Sequence, residues 1–345
     1  MDQTTPAHII EGFTPLETHH CETGSLLHLY RHGGSVLSED MLFGLGEGIG
    51  FIYWHQKGAS PFLGGRSKAN VAELAGERTG VKVRAQSTTS AKKARDGLLA
   101  ALDAGAPVML QADMGFLPYF DFGGTEYHFG GHVVAAWGYD PDTDTVYLAD
   151  RDADLHSVSM ANLAKARGST YKPFPPRNTW WELDFADYRE PTAEELLESL
   201  KSSCRTMLTP PISNIGVKGI AKAADQVAKW PQSMSTEDLK WACFNGYIFI
   251  SPVGGTGGGI FRYMFSRYLA ECAERTGTPE LADAARHFRD IADGWQEIAA
   301  WFKAVSEVPD PPSRMHEVKP MLLDRAREEE RAWADLAAVV DCRVD

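Results

Sequence analysis

The chain is organised around residues 18–30, which read Thr18-His19-His20-Cys21-Glu22-Thr23-Gly24-Ser25-Leu26-Leu27-His28-Leu29-Tyr30. Leu26, Leu27 and Tyr30 recur at helical spacing and Gly33-Gly34 follows, so the stretch predicts a polar loop running into a helix. Cys21 then lies at the helix N-terminus, where unpaired N–H groups and the helix dipole favour an anion. A thiol there ionises more easily, and the thiolate is the nucleophile. Cys21 is therefore a candidate nucleophile; the alternative is a buried structural thiol.

The composition is that of a globular protein with a sizeable core. At 345 residues the chain is long enough for roughly two domains, and 43% of its residues are apolar. Residues 1–5 lack the features of a signal peptide, and no apolar run approaches the roughly 20 residues of a membrane span. The five cysteines are scattered without a C-x-x-C pair, which disfavours a disulfide framework or zinc ribbon. We therefore expect a cytoplasmic protein without a membrane segment.

Charge is distributed unevenly along the sequence. The net charge of −13 disfavours nucleic acid as the main partner. Segment 78–95 nevertheless carries six Lys or Arg residues and segment 155–178 carries four, and neither contains an acid. These two basic segments could dock an acidic partner; ordinary solvated faces are the alternative.

Hydrophobic periodicity divides the chain into a mixed half and a helical half, with a boundary near 180–192. In the first half, apolar segments predict strands at 81–84, 107–113, 131–140, 145–150 and 180–185, and periodic segments predict helices at 68–79, 91–104 and 158–166. The second half predicts helices alone, at 192–207, 215–230, 235–250, 260–275, 278–305 and 318–340. The predicted fold class is therefore α+β followed by an all-helical domain.

A predicted β-hairpin places a histidine near an acid. His132 opens one strand and Asp150 ends its partner, so the two side chains can be neighbours across the hairpin. An acid in that position can hold the imidazole tautomer and stabilise the imidazolium. Together with Cys21 this gives a Cys–His–Asp triad, in which Cys21 attacks an acyl carbon, His132 moves the proton and Asp150 orients His132. Asp152 and Asp154 are alternatives to Asp150, but they follow the strand and are expected to be solvated.

Stretches over nearly the whole chain carry a family resemblance. They include His20-Cys21 and His128-Phe129-Gly130-Gly131-His132, with residues 33–34, 38–39, 43–48, 65–66, 105–108, 113, 117–119, 133–134, 138–140, 150–151, 166–167, 257–259, 261–262 and 264. In these positions the chain resembles the butirosin biosynthesis protein H group. The resemblance implies a papain-like catalytic domain over 1–185 and a helical domain of unassigned role over 186–345. It also implies an acyltransferase that passes an aminoacyl-type group from a carrier-protein thioester to an amine.

Within that resemblance, the nucleophile and base fall on Cys21 and His132 and the acid on Asp150, and the acyl chemistry requires no cofactor. The predicted substrate-binding residues are Gly46, Glu47, Asp113, Tyr119, His128, Arg151 and Arg262. For several of them packing is an equal alternative. The backbone of the Gly-rich stretch 44–50 must approach either a substrate or a packed neighbour closely, and its spacing is not a dinucleotide fingerprint.

One departure from the wider papain pattern concerns the oxyanion. Those enzymes commonly carry a Gln about six residues before the Cys, but here that position is Pro15 and no Gln lies between Gln3 and Cys21. The Cys21 N–H can serve as one oxyanion donor. Gln111 and Asn70 are candidates for the second donor by residue type only.

A metal site is the weaker interpretation of the histidines around Cys21. His19, His20, His28 and His32 do not have the spacing of a tetrahedral ligand set, so we expect no metal.

Three functions are consistent with the sequence. The leading hypothesis is a cysteine acyltransferase of natural-product or antibiotic biosynthesis, whose partners would be an acyl carrier protein or other thioester donor and a small-molecule amine acceptor. The alternatives are a thioesterase, amidase or peptidase with the same triad, and an inert module that binds a partner. The acyl group, the acceptor and the oligomeric state, a homo-oligomer included, are left open.

Overall fold

The computed structural model describes residues 7–56 and 60–342. Contacts between residues group the chain into two units, one containing residues 7–42 and 79–190 and the other residues 43–56, 60–78 and 191–342. The predicted α+β class is confirmed, with an antiparallel sheet in the N-terminal part and helices in the C-terminal part. The predicted domain limits, 1–185 and 186–345, and the papain-like relationship stay predictions.

The first unit is built on an antiparallel sheet. Strands in the described residues are β1 His8–Ile9, β2 Ile52–Trp54, β3 Phe62–Gly64, β4 Lys82–Gln86, β5 Val108–Ala112, β6 His132–Asp140, β7 Thr145–Ala149, β8 His156–Ser159 and β9 Trp180–Asp184. In the first unit the sheet order is β4-β9-β5-β6-β7-β8, and β1 also pairs with β6. The second unit contains the β2–β3 hairpin.

Helices cover the sheet of the first unit and make up most of the second. They are α1 Cys21–His32, α2 Glu39–Leu45, α3 Val71–Thr79, α4 Ala91–Asp103, α5 Met160–Gly168, α6 Ala193–Leu208, α7 Gly216–Val227, α8 Thr236–Ile250, α9 Arg262–Thr276, α10 Glu280–Glu307 and α11 Val318–Val339. Each predicted helix forms within a few residues of its expected position. The helix predicted from residue 158 begins later because β8 occupies residues 156–159, and the Ser159 hydroxyl caps α5 by accepting the Asn162 N–H.

Strand β6 is the centre of the first unit. Residues 132–138 are all buried, and because neighbouring side chains point to opposite faces, both faces of the strand are covered. Helices α1 and α4 pack against it. Leu110, Val134 and Leu148, from three adjacent strands, share one hydrophobic cluster with α4 and α5. This packing holds the first residue of β6, His132, in a fixed position at the end of the sheet.

The core of the second unit is aromatic. Trp230, Trp295, Trp333 and Phe288 are among its largest fully buried side chains. In the part of the chain that the structure describes, no helix is long and apolar enough to cross a membrane.

Candidate active site

Glu39 anchors the loop that presents Cys21. Cys21 is the first residue of α1 and His20 is the N-cap, with an extended backbone at φ −132° and ψ 136°. The carboxylate of Glu39 accepts the backbone N–H of His19 at 2.7 Å and of His20 at 2.9 Å, and the Thr23 hydroxyl donates to it at 2.9 Å. Because Glu39 is only 7% exposed, these charge-assisted bonds hold the loop tightly.

The same loop is tied to the segment that carries Asp150. The Thr18 N–H donates to the Arg151 carbonyl at 2.7 Å, and the Arg151 N–H donates to Asp150 Oδ1 at 2.8 Å. Gly24 allows this approach, since a Cβ there would lie 2.2 Å from the Thr18 hydroxyl. The main chain of Arg151, a predicted substrate-binding residue, thus connects the Cys21 loop with the acid.

His132 and Asp150 form a buried pair at the end of the β6–β7 hairpin. Ala135 pairs with Ala149, so Asp150 follows directly after the last paired residue. His132 Nε2 lies 2.7 Å from Asp150 Oδ2, and both side chains are 3% exposed. Because a carboxylate only accepts, Nε2 carries the proton in this bond, which leaves Nδ1 for the hydrogen bond between His132 and Cys21.

Tyr119 adds a second donor to Oδ2 of Asp150, beside His132. Its hydroxyl donates to Asp150 Oδ2 at 2.9 Å, and its ring stacks on His156 with centroids 4.0 Å apart. Burial would raise the pKa of Asp150, but the charge of His132 and the hydrogen bonds from His132 and Tyr119 lower it. The carboxylate is therefore held ionised and in one orientation.

The structure brings Cys21, His132 and Asp150 together, and a second histidine joins them. Burial would raise the pKa of the Cys21 thiol, but the electrostatic interaction with His20 and hydrogen bonds from His132 and His20 lower it well below its ordinary value. Burial would lower the pKa of His132, but Asp150 and Cys21 raise it to about 10. The site thus favours a thiolate–imidazolium pair, while Cys21 itself keeps part of its surface exposed. The catalytic roles of the three residues stay a prediction.

These two pKa shifts predict the pH dependence of Cys21 reactivity. Alkylation by iodoacetamide should stay near its plateau at pH values well below 9.0, the ordinary thiol pKa, and fall only as the thiolate is protonated. At high pH the alkylation rate should hold, whereas any step that needs the His132 proton should decline above about pH 10. The rates are read by intact mass, with Cys21→Ala correcting for other thiols. A half-maximal rate near pH 9.0 would contradict the paired thiolate.

Asp113 fixes the loop that carries Tyr119. Its fully buried carboxylate accepts from the Gly115 N–H at 3.0 Å, the Phe129 N–H at 3.1 Å, His128 Nδ1 at 2.9 Å and the Ser169 hydroxyl at 2.6 Å. The two backbone bonds clamp both ends of segment 114–129. These contacts give Asp113 and His128 a positioning role, and their assignment to substrate binding stays a prediction.

Segment 114–129 also covers His132. The Phe120 ring meets the His132 ring edge-on, with centroids 5.3 Å apart and an angle of 85°. A depression of about 350 Å³ beside Asp150 is lined by Phe120, Arg151 and the acidic side chains of Glu17, Asp152 and Asp154. Its acidic rim favours a cation.

Three predicted substrate-binding residues belong to the second unit. Glu47 is 3% exposed and pairs with Lys68 at 2.8 Å and Arg78 at 2.6 Å. Arg262 is 0% exposed and pairs with Glu329. Gly46 follows α2 in the same buried turn as Glu47. The ion pairs within the protein explain why both charged side chains are buried. A role in substrate binding stays a prediction for all three residues.

The Gly-rich stretch around Gly46 is packed against the protein itself. A Cβ on Gly44 would lie 2.1 Å from the Tyr268 ring, and one on Gly50 would lie 2.5 Å from the Ser67 hydroxyl. Of the two interpretations of this stretch, these contacts favour close packing.

Other candidates from the sequence are engaged elsewhere. The Gln111 amide donates to the Gly130 carbonyl at 2.7 Å. His28 accepts the Leu16 N–H at 2.9 Å and lies 2.7 Å from the Gly24 carbonyl. Within residues 7–56 and 60–342, no group of three or more His, Cys, Asp or Glu residues is arranged to hold a metal ion.

Sequence reasoning missed two members of the site. Glu39 has no predicted role in the site, and nothing local indicates that its carboxylate reaches back 19 residues to His20. For His20 a signal existed, because the residue directly before a helix-starting Cys occupies the N-cap and its side chain must lie near the thiol.

Fold and site together define an α+β protein with a cysteine at a helix N-terminus, hydrogen-bonded to a buried His–Asp pair. Residues 161–336, more than half of the chain, match the family model described as Domain of unknown function (DUF4872). The chain therefore belongs to the DUF4872 family. Residues 20–151 match the model described as Butirosin biosynthesis protein H, N-terminal, which supports the resemblance found in the sequence. That match encloses Cys21, His132 and Asp150. No curated protein matches the chain.

Proposed function

We propose that the protein is a cysteine-dependent acyltransferase of natural-product biosynthesis that works through an acyl group on Cys21. The observation that carries the proposal is the hydrogen-bonded line from Cys21 through His132 to Asp150, at a helix N-terminus. A thiolate paired with an imidazolium is an activated nucleophile for acyl carbon. The match to a domain named for butirosin biosynthesis supports a biosynthetic setting.

The chemistry divides between the three residues. The Cys21 thiolate attacks the carbonyl carbon of a thioester, a C–S bond forms, and the carbonyl π electron pair moves to oxygen. When the adduct collapses, the bond to the donor sulfur breaks and the departing thiolate takes the proton from His132. An amine then attacks the acyl-Cys21 carbon, His132 removes the amine proton, and Cys21 leaves as the thiolate. Asp150 holds the Nε2–H of His132 throughout, so that Nδ1 faces the reacting atoms.

The donor is proposed to be a thioester on an acyl carrier protein or a small thiol. In the first unit, exposed basic side chains lie on β4 and α4, at Lys82, Arg84, Lys92, Lys93 and Arg95. Lys82 pairs with Asp187 and Lys92 pairs with Asp96, and the other three basic side chains offer positive surface to an acidic carrier although the chain as a whole is acidic. In the second basic segment Arg167 is buried, which leaves that segment less suited to docking.

Intact-protein mass spectrometry tests the proposal. The protein is mixed with acyl thioesters of small thiols and of a carrier protein, and the wild type is compared with Cys21→Ala. The wild type should gain the mass of one acyl group and Cys21→Ala none, because the alanine has no sulfur to acylate. Cys342→Ala is the matched control, since Cys342 is also a partly exposed cysteine, and it should acylate like the wild type.

Adding amines to the acylated protein separates the outcomes. Loss of the acyl mass together with formation of an amide supports a transferase. Loss at the same rate without amine, and with no amide product, would indicate a hydrolase. A wild type that is not acylated by any thioester of the panel would contradict the proposed function.

A further inference from the structure

One oxyanion donor of the site is a backbone group. The Cys21 N–H, at the first position of α1, has no partner within the helix and can point at a developing oxyanion. The usual Gln before the Cys is replaced by Pro15, and the Gln111 amide is committed to the Gly130 carbonyl. Acyl transfer sites commonly use two donors, so a second group near the sulfur is needed.

His20 is placed next to the sulfur and is nearly buried. Its side chain is hydrogen-bonded to that of Cys21, and the residue is 6% exposed. The backbone of His20 is held by Glu39 at 2.9 Å, and its ring is held by Thr23, so both the main chain and the imidazole are positioned. A donor built in this way needs little reorganisation during the reaction.

The hydrogen bonds around His20 determine which ring nitrogen carries the proton. Nδ1 lies 3.3 Å from the Thr23 backbone N–H and 3.2 Å from the Thr23 hydroxyl. The hydroxyl has one proton and donates it to Glu39. The Thr23 N–H is a buried first-turn donor, and leaving it without an acceptor would be destabilising. Nδ1 therefore accepts from Thr23, and the ring donates from Nε2.

We infer that the Nε2–H of His20 is the second oxyanion donor of this site, acting with the Cys21 N–H. In the free protein it stabilises the Cys21 thiolate. When the thiolate attacks, the negative charge moves from sulfur to the former carbonyl oxygen, two bonds away. The donor follows the charge, because its bond to the neutral thioether sulfur is weak and its bond to an oxyanion is strong.

The positions of the ring protons also give His20 and His132 different roles. His20 donates and cannot accept the thiol proton, because its Nδ1 lone pair is used by Thr23. His132 accepts at Nδ1, because its Nε2–H is used by Asp150. The inference rests on the proposed function, since an oxyanion arises only if Cys21 attacks an acyl carbon.

The test compares two reactions of His20→Ser. Serine is a good N-cap and can accept the Thr23 N–H, but it is too short to reach the acyl oxygen. Single-turnover acylation by a thioester should fall by about 10²–10³-fold, the usual loss for one oxyanion donor. Alkylation by iodoacetamide, measured at a pH where Cys21 is fully ionised, forms no oxyanion and should change little. His19→Ser, which removes the exposed neighbouring imidazole, should leave both rates unchanged.

Each outcome bears on the inference. Acylation of His20→Ser at the wild-type rate would overturn it, and so would an equal loss of acylation and alkylation, which would show that His20 only positions the sulfur. Circular dichroism establishes that the variant is folded. A wild type that no thioester acylates would contradict the proposed function itself, whereas a wild type that acylates alongside an equally active His20→Ser would contradict only the role of His20.

Discussion

Asp150→Asn is expected to lower the acyl-transfer rate by about 10³–10⁴-fold while the protein stays folded. Asp150 Oδ2 accepts the Nε2–H of His132 at 2.7 Å. An asparagine amide in that place can donate to Nε2 instead, which moves the ring proton to Nδ1. His132 then presents a proton to Cys21 where a lone pair is needed, so it can no longer act as the base.

The matched control for this substitution is Asp152→Asn. Asp152 is exposed and pairs with His156 at 2.7 Å, and it was an alternative to Asp150 as the acid of the triad. Acylation and transfer rates should be near the wild-type values in this variant. Rates that fall in Asp152→Asn and not in Asp150→Asn would reverse the assignment of the acid.

Arg262→Met is expected to lower the free energy of unfolding by about 3–5 kcal/mol, the cost of leaving a buried charge without its partner. Arg262 Nε and one terminal nitrogen contact the two carboxylate oxygens of Glu329 at 2.9 and 2.8 Å, and both side chains are 0% exposed. The other terminal nitrogen donates to the Gly50 and Ile260 carbonyls at 2.8 Å. The indole N–H groups of Trp295 and Trp333 also donate to the Glu329 carboxylate. These neutral donors remain after the substitution, but the positive charge that balances the carboxylate is lost.

Urea unfolding followed by circular dichroism measures this effect. Arg289→Met is the control, because Arg289 is exposed on α10 and surface substitutions usually change stability by no more than about 0.5 kcal/mol. The double variant Arg262→Met/Glu329→Leu should recover part of the loss, since no charge is then buried alone. An Arg262→Met protein as stable as the wild type, with a weakened interaction with substrate, would instead support the predicted substrate-binding role.

Local sequence patterns predicted the helix and the hairpin on which the site is built. The helix that begins at Cys21 follows from its apolar spacing and its terminal glycines, and the hairpin joining His132 to Asp150 follows from two apolar segments separated by a turn. Both depend on interactions between residues close in sequence. The shortest strands, β1, β2, β3 and β8, were missed because two to four residues are too few to establish a period.

The polar contacts that position the site and support the second unit required the folded chain. Glu39 bonds the Cys21 loop from a different helix, and Tyr119 reaches Asp150 across 31 residues. Arg262 and Glu329 are 67 residues apart. Because charged side chains are usually exposed, the residue types alone predict that both lie on the surface. A charged side chain is buried only where packing brings its partner to hydrogen-bond distance. The periodicity of the sequence around either residue does not predict which distant residue becomes that partner. The pattern of apolar residues therefore determined the helices and the hairpin, whereas packing between distant segments determined which polar groups hold them in place.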